Sequence, residues 1–254
     1  YVYSGSGTFN MYGGSITGNR ATGDGGGVYK SGSNSSFNMY GGSITGNTAN
    51  SYGGGVYVDG GGFTMSGGTI GGTKTGETNT ATYGGGGVYA KANFEMTGGS
   101  ITGNNAYKSD YISTFGGGVC VGSGIFTVSG EVTVTDNTKG GTKGADGKFT
   151  GDTKNNVYLP TGKTITIGTD KLSEGAQLGV TVSGDYGDYP FTSGWNANIS
   201  DKTPSDYFIS DTDGYVAKLN GSELKMVTHV HNWTYTASGD TITATCKNCS
   251  NNNG

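Results

Sequence analysis

The stretch Phe9-Asn-Met-Tyr-Gly-Gly-Ser-Ile-Thr-Gly-Asn19 recurs along the first half of this 254-residue chain. It returns almost letter for letter at 37–47, and with substitutions at 63–73, 94–104 and 126–137. Between the copies lies a second phrase, Gly-Gly-Gly-Val-Tyr, at 25–29, 53–57 and 85–89, and at 116–120 with Cys in place of Tyr. Recurrence at this spacing indicates that one supersecondary unit is stacked many times.

Each repeat contains short segments in which apolar and polar residues alternate. In one repeat they are 28–30, 37–39 and 43–45, and Gly or Asn residues separate them. Strands this short between Gly and Asn corners are typical of a parallel β-helix. The sequence therefore predicts an all-β parallel β-helix with three short strands per coil. About six coils are expected, one for each anchoring valine: Val2, Val28, Val56, Val88, Val119 and Val157.

Alternation within the short strands predicts which side chains face inward. We expect three apolar ladders, formed by Phe9, Phe37, Phe63, Phe94 and Phe126, by Met11, Met39, Met65, Met96 and Val128, and by Ile16, Ile44, Ile70, Ile101 and Val132. Asn19, Asn47 and Asn104 follow the isoleucine strand at a corner, where an inward Asn can bond its own copy. Because no coil covers its own core, stacking must supply the stability.

The composition excludes several classes of function. Gly accounts for 53 residues, well above the usual share of about 7%, but ordered recurrence of Phe, Met, Ile and Val argues against disorder. The net charge of −4 and the single arginine, Arg20, give no footprint for nucleic acid. No apolar run approaches the roughly 18 residues of a membrane span. The sequence opens inside a repeat, which predicts a fragment of a longer array.

The two alternating phrases carry a family resemblance. Gly-Gly-Gly-Val-Tyr alternating with Phe63-Thr-Met-Ser-Gly-Gly-Thr-Ile70 resembles the right-handed parallel β-helix repeats of large surface proteins of Gram-positive gut bacteria. The resemblance covers residues 1–185. It implies a right-handed coil, an extracellular location at the bacterial cell surface and an adhesin-like role. Fold analogy alone does not assign an activity.

Beyond the repeats, two further segments are expected. Residues 186–228 carry alternating aromatic and aliphatic residues and are predicted to form a C-terminal β cap. A cap is needed because an open β-helix end presents unpaired strands. Residues 229–254 are predicted to form a small Cys/His module.

The Cys/His module carries the clearest set of metal-ligating residues, His229, His231, Cys246 and Cys249. Two histidines one residue apart point to the same side of a strand, and Cys-x-x-Cys fits a tight turn. Together they supply the ligand types of a tetrahedral structural zinc site, with no open position for catalysis. A Cys246–Cys249 disulfide is the alternative in an exported protein, and free side chains are the third interpretation.

Insertions after the asparagine corner lengthen toward the C-terminus, and solenoids tend to place binding loops on such an edge. We expect the aromatic residues of this edge to contact a ligand: Tyr52, Tyr83, Tyr107, Tyr111 and Phe115. Tyr29, Tyr57 and Tyr89, with Cys120 in line, occupy the outward slot beside each valine. They predict either an exposed binding column or a sheet-stabilising ladder partly covered by loops, and the ladder is the preferred interpretation.

These features predict a non-catalytic extracellular rod that binds a host glycan or protein through loops on one edge. The alternative is a self-assembling array or filament whose coil ends add to one another. The third reading is a polysaccharide lyase or hydrolase. Glu77, Asp110, Asp146 and Asp152 lie in insertions without the paired spacing that glycoside hydrolysis needs, so no enzyme is expected. Structural zinc is the one cofactor expected.

Overall fold

The computed structural model describes residues 7–107, 115–145, 149–184, 187–195, 202–230, 233–239 and 241–246. Its main feature is a large, mostly parallel sheet that curls on itself like a solenoid. The predicted all-β class and the parallel stacking of repeats are confirmed, because successive repeats pair like residue on like residue. Among the described residues, no helix has the length and apolar character to cross a membrane.

The phenylalanine wall bears the first ladder. Phe37, Phe63 and Phe94 are buried, and consecutive rings from Phe37 to Phe126 stack with centroids 4.6–4.9 Å apart. The predicted phenylalanine and methionine ladders are therefore confirmed. The strands of this wall are β1 (Thr8–Met11), β5 (Ser36–Met39), β9 (Gly62–Met65), β13 (Asn93–Thr102), β16 (Phe126–Thr135), β20 (Ile165–Leu172) and β22 (Thr192–Ser193).

The isoleucine wall bears the second ladder and contains one correction. Ile101 pairs with Val134, not with the predicted Val132, which lies opposite Gly99. The reason is a bulge: β16 has one more residue than β13 before this point, so the register shifts. Besides the ends of β13 and β16, the wall contains β2 (Ser15–Thr17), β6 (Ser43–Thr45), β10 (Thr69–Ile70), β21 (Gln177–Val182) and β23 (Phe208–Ser210).

A fourth wall corrects the expectation of three strands per coil. Each of the first four coils adds a two-residue strand ending in alanine, and Ala49, Ala81 and Ala106 are fully buried. Its strands are β3 (Arg20–Ala21), β7 (Thr48–Ala49), β11 (Thr80–Ala81), β14 (Asn105–Ala106) and β17 (Thr138–Lys143), which forms an antiparallel hairpin with β18 (Phe149–Lys154).

The valine wall follows each glycine triplet. Its strands are β4 (Val28–Lys30), β8 (Val56–Val58), β12 (Val88–Ala90), β15 (Val119–Val121) and β19 (Val157–Leu159). Within one triplet, Gly85 has a φ of +63°, which favours glycine. A Cβ on Gly86 would lie 2.5 Å from the carbonyl oxygen of Gly117 in the next coil. The triplets therefore allow neighbouring coils to approach at this corner.

A continuous asparagine ladder runs through the corner between the isoleucine wall and the fourth wall, whose short strands end in alanine. Its members are Asn19, Asn47, Asn79, Asn104, Asn137 and Asn156. Each side-chain amide donates to the Oδ1 of the next member at 2.9–3.0 Å. The ladder ends at Asp211, whose two carboxylate oxygens accept from the backbone and side-chain nitrogens of Asn156 at 2.7 and 2.6 Å. The buried amides of the ladder thus satisfy one another within the stack.

The last coils are closed by aromatic residues and a hairpin. Parallel pairing extends past residue 185, because β22 pairs with β20 and β23 pairs with β21. Beyond it lie the short helix α1 (Pro204–Tyr207) and the antiparallel strands β24 (Tyr215–Asn220) and β25 (Glu223–Thr228). Trp195 packs edge-to-face on Tyr207 and Phe208. Leu224 is buried with them in the core.

The final described element is a two-stranded antiparallel hairpin of β26 (Trp233–Ser238) and β27 (Thr241–Cys246). Trp233 pairs with Cys246, so the beginning of the first strand and the end of the second lie at the same end of the hairpin. Residues 233 and 235–239 and residues 241–244 are exposed.

Candidate functional site

The tyrosine column lies on the outer side of the valine wall. Tyr29, Tyr57 and Tyr89 pair in register, and their rings stack at 5.2 and 5.4 Å between centroids. Tyr57 is only 7% exposed, and burial raises the pKa of Tyr89 to about 12. The column is therefore a ladder of stacked rings along the sheet, as preferred from the sequence, and its central ring is buried.

Cys120 continues the tyrosine column, opposite Tyr89 on one side and Tyr158 on the other. Its thiol is buried and makes no disulfide. Burial raises the pKa of Cys120 to about 12, so the thiol stays protonated near neutral pH. A protonated, buried thiol is a poor nucleophile and a poor metal ligand.

Three of the predicted ligand-binding aromatics lie together beside the column. Tyr52 and Phe115 both form parallel bridges with Gly84, next to Tyr83. The Tyr52 ring centroid lies 5.5 Å from that of Tyr83 and 4.5 Å from that of Tyr89. We call Tyr52, Tyr83 and Phe115 the aromatic cluster. Its members are half-buried and come from three consecutive coils.

The other two predicted aromatics have different positions. Tyr107 follows β14, and its ring packs against Phe149 of the β17–β18 hairpin with centroids 5.5 Å apart. Tyr111 lies outside the described residues. Of the five predicted ligand-binding residues, three therefore form one cluster and a fourth supports the hairpin.

The insertions do not all lie on one edge, which corrects the sequence analysis. Asn79, not Thr73, occupies the ladder position in the third repeat. The third insertion is therefore 71–78, before the asparagine corner, and only five residues separate Asn79 from Gly85. The fourth insertion follows Asn104 in the sequence, so the third and fourth insertions come before and after the ladder residue respectively.

Of the charged residues that an enzyme might use, Lys30 and Glu77 are engaged in local hydrogen bonds, and Asp152 lines a small cavity together with Asp136. Lys30 is fully buried, its ammonium donates to the carbonyl oxygens of Gly60 at 2.6 Å and Gly32 at 3.1 Å, and desolvation lowers its pKa. Glu77 accepts from the backbone nitrogen of Lys74 within its own loop. Asp110 and Asp146 lie outside the described residues. Lys30 thus serves to hold a corner of the stack.

The predicted zinc ligands lie largely beyond the described part of the chain. His231 and Cys249 lie outside the described residues, and Cys246 is placed only through its backbone in β27. The backbone nitrogen of His229 donates to the carbonyl oxygen of Gly214 at 2.7 Å. Within the described ranges, no three His, Cys, Asp or Glu residues are grouped as a metal site would require. The zinc site stays a prediction.

The sequence analysis missed half of the asparagine ladder and its end. Asn79, Asn137 and Asn156 belong to the ladder, and Asp211 closes it. A signal for part of this was present, because Asn-x-Ala recurs at 19–21, 47–49, 79–81 and 104–106. Nothing in the sequence around Asp211 repeats, so its role follows only from the fold. Burial raises the pKa of Asp211, and the hydrogen bonds from Asn156 and Thr181 oppose that rise.

The surface that the structure offers is aromatic beside the valine wall and polar around the asparagine corner. Comparisons with protein-family models, with curated proteins and with solved structures found no match for this chain. Inference about its function therefore rests on the chemistry of its own side chains.

Proposed function

We propose that this chain is a non-catalytic extracellular rod of the bacterial cell surface that binds a host glycan or protein through its loops. In this proposal the coils wind as a right-handed β-helix. The observation that carries it is the aromatic cluster of Tyr52, Tyr83 and Phe115, which come from three consecutive coils. The Tyr52 ring packs against that of Tyr83, and the Phe115 ring stacks on Tyr158 with centroids 4.3 Å apart. Half-buried aromatic rings with few charges nearby suit stacking on sugar rings or contact with a protein.

The backbone beneath the aromatic cluster is fixed by hydrogen bonds between coils. The nitrogen of Tyr52 donates to Oδ1 of Asp24 at 3.0 Å. The nitrogen of Phe115 donates to the carbonyl oxygen of Tyr83 at 3.2 Å, and that of Tyr83 to Ser51 at 3.0 Å. A preorganised surface loses little conformational entropy on binding, which supports a role in recognition.

Binding to glycan and host-protein arrays tests this proposal. We expect wild-type binding that Tyr83→Ala weakens by about tenfold, because one ring of the cluster is lost. Tyr12→Ala is the matched control, since Tyr12 is 73% exposed on another wall. Absence of any binding by the wild type, or equal loss in both variants, would contradict the proposal.

The self-assembling array is the second candidate. In such an array a further coil would pair with β1, β2 and β3 on the side opposite to β5, β6 and β7. The opposite end is closed by Asp211 and the β24–β25 hairpin, which argues against head-to-tail addition. Sedimentation over a hundredfold range of concentration distinguishes the two, because a filament grows with concentration and a monomeric rod does not.

The enzymatic reading has its own test. Incubation with a panel of neutral and acidic polysaccharides should produce no new reducing or unsaturated ends. Release of such ends by the purified chain, removed by neutralising an acidic residue, would replace the non-catalytic proposal with a polysaccharide-cleaving one.

For the C-terminal module we propose a structural zinc ion held by His229, His231, Cys246 and Cys249. The hairpin register supports this, because it pairs Trp233 with Cys246 at one end, and Trp233 is the hairpin residue nearest in sequence to the two histidines. Elemental analysis should find one zinc per chain, lost from a Cys246→Ser/Cys249→Ser variant. A metal-free wild type with a mass two hydrogens lower than the reduced chain would indicate the disulfide instead.

A further inference from the structure

Two small cavities meet at the asparagine corner of the last coils. The first has a volume of about 200 Å³ and is lined by Thr78, Asn105, Asp136, Phe149 and Asp152, among others. The second has a volume of about 190 Å³ and is lined by Asp136, Lys154, Gln177, Ser210 and Asp211, among others. Since Asp136 lines both, the two cavities are adjacent. We call them together the corner groove.

The groove exists because of two departures from the simple repeat. The third-repeat insertion supplies one side, through Gly72, Thr73 and Thr78, and the β17–β18 hairpin supplies the other, through Phe149 and Asp152. A coil without these additions would leave the corner flat. The insertion and the hairpin, which the repeat pattern does not explain, therefore make the surface concave, as binding sites require.

Asp136 is held rigidly at the centre of the groove. Its backbone adopts a left-handed φ of 56°, which is uncommon for a residue other than glycine. Its carbonyl oxygen accepts from the nitrogen of Gly103 at 3.2 Å, and the next residue, Asn137, is locked in the asparagine ladder. Backbone strain of this kind persists where the surrounding structure imposes it, and it collects at ligand sites.

The side chains of the groove combine acceptors, donors and one ring. Neither Asp136 nor Asp152 forms an ion pair within the part of the chain that the structure describes. Phe149 has the Tyr107 ring 5.5 Å away and the Lys143 ammonium 5.8 Å from its own centroid. Toward a ligand, the carboxylates can accept from hydroxyl groups, Lys154 and Gln177 can donate to oxygen atoms, and the ring can cover an apolar face.

We propose that the corner groove binds two consecutive rings of a neutral oligosaccharide. Each cavity alone is smaller than the roughly 300–1,000 Å³ of typical ligand pockets, and the pair reaches that range. Lys154 lines the second cavity with Asp136 and Asp211, and the Asp211 carboxylate already accepts from Asn156 and Thr181, so a polyhydroxyl ligand fits better than a basic peptide. Uronic acids are disfavoured in the first cavity, which Asp136 and Asp152 line without a cation. This site deepens the proposed function and rests on its ligand-binding part.

The test is glycan-array and calorimetric binding of the full chain with acid-to-amide variants. We expect Asp136→Asn and Asp152→Asn each to weaken neutral oligosaccharide binding about tenfold, since a hydrogen bond to a charged acceptor is stronger than one to a neutral amide. Asn tolerates the left-handed backbone at position 136. Glu95→Gln, on the exposed outer face of β13, is the matched control and should bind as wild type. The double variant should bind uronate oligosaccharides better than the wild type does.

The outcomes separate this site from the proposed function. Glycan binding that survives both groove variants but is lost in Tyr83→Ala would overturn the groove and leave the proposed function intact. A wild type that binds no glycan and no host protein would overturn both. Binding that requires added calcium and is abolished by a chelator, or binding of basic peptides alone, would overturn direct recognition of a neutral sugar. Thermal melts of every variant verify that the fold is retained.

Discussion

The stacked coils and the C-terminal hairpin use similar residues in opposite ways. In the stack, Phe63 and Phe94 are buried, and each rests on a copy of itself in the neighbouring coil. In the β26–β27 hairpin, Tyr235 is 66% exposed and Ile242 is 74% exposed. Both regions consist of short strands rich in Thr and aromatic residues. The difference shows that repetition, not strand propensity, provides burial here, because a residue is covered by its own copy.

Phe63→Ala should give the largest difference in stability between the stack and the hairpin. Phe63 has a ring stacked on each side, so truncation leaves a cavity that two fixed neighbours cannot fill. We expect the free energy of unfolding to fall by about 3–5 kcal/mol. Tyr235→Ala in the hairpin should change it by no more than about 0.5 kcal/mol. Chemical denaturation of both variants measures the difference, and equal effects would contradict the stacking account.

A second difference in stability is expected within the asparagine ladder, between a buried member and the exposed member at its end. Asn104→Ala removes the acceptor of the Asn79 amide and the donor to the Ile70 carbonyl oxygen, and both groups are buried. We expect a loss of about 2–4 kcal/mol, because unsatisfied buried groups cost about 1–3 kcal/mol each. Asn19 is exposed at the ladder end, so Asn19→Ala should cost about 0.5 kcal/mol. Chemical denaturation measures the difference between the two variants, provided that the dependence of the unfolding free energy on denaturant concentration is the same in both.

Glycine substitutions sharpen the comparison between packed and open backbone. A Cβ on Gly86 would meet the carbonyl oxygens of Gly117 and Asn105 at 2.5 Å, so Gly86→Ala must push coils apart. We expect a loss of about 1–3 kcal/mol. Gly13→Ala meets nothing within 4 Å and should be nearly neutral. Thermal unfolding followed by circular dichroism distinguishes them, and a stable Gly86→Ala variant would show that the coils have room there.

The smallest effect concerns reactivity. Burial raises the pKa of Cys120 to about 12, so the protonated form is favoured in the folded state. At pH 8 only about one thiol in ten thousand is ionised. Any stability that the protonated thiol contributes to the folded state is lost as the pH rises through its raised pKa of about 12. Site-resolved mass spectrometry after iodoacetamide treatment should show Cys120 unmodified until the chain unfolds. Rapid native labelling at pH 8 would contradict its burial.

Much of the structure of the stack can be predicted from the sequence, because it depends on the same residue types recurring in each coil. Phe37, Phe63 and Phe94 recur with the same neighbours, so alternation alone predicts that they form an inward ladder. The shift at Val134 is not predictable in this way. Val132 and Val134 are both apolar and lie two residues apart, so alternation gives both side chains the same face. The bulge decides which of them lies opposite Ile101, and it depends on pairing with β13.

The candidate site is less predictable than the stack. The aromatic cluster could be anticipated because its residues precede glycine triplets in the repeat frame. The corner groove could not, because it depends on whether the third insertion comes before or after Asn79. Thr73 and Asn79 both follow Ile70 at plausible distances, and only the hydrogen bonds of the ladder select one of them. Asp211 is non-repetitive and distant in sequence, so composition gives no indication of its role.

The amide-to-amide hydrogen bonds of the ladder all point in one direction, from Asn19 toward the carboxylate of Asp211. An intermediate coil offers an acceptor to its predecessor and a donor to its successor, while the carboxylate only accepts. Whole coils can therefore be duplicated or deleted between those two residues while the hydrogen-bond pattern at each end stays the same. The direction of the amides is set within every coil, because backbone nitrogens of the ladder also donate to the Oδ1 of the next member.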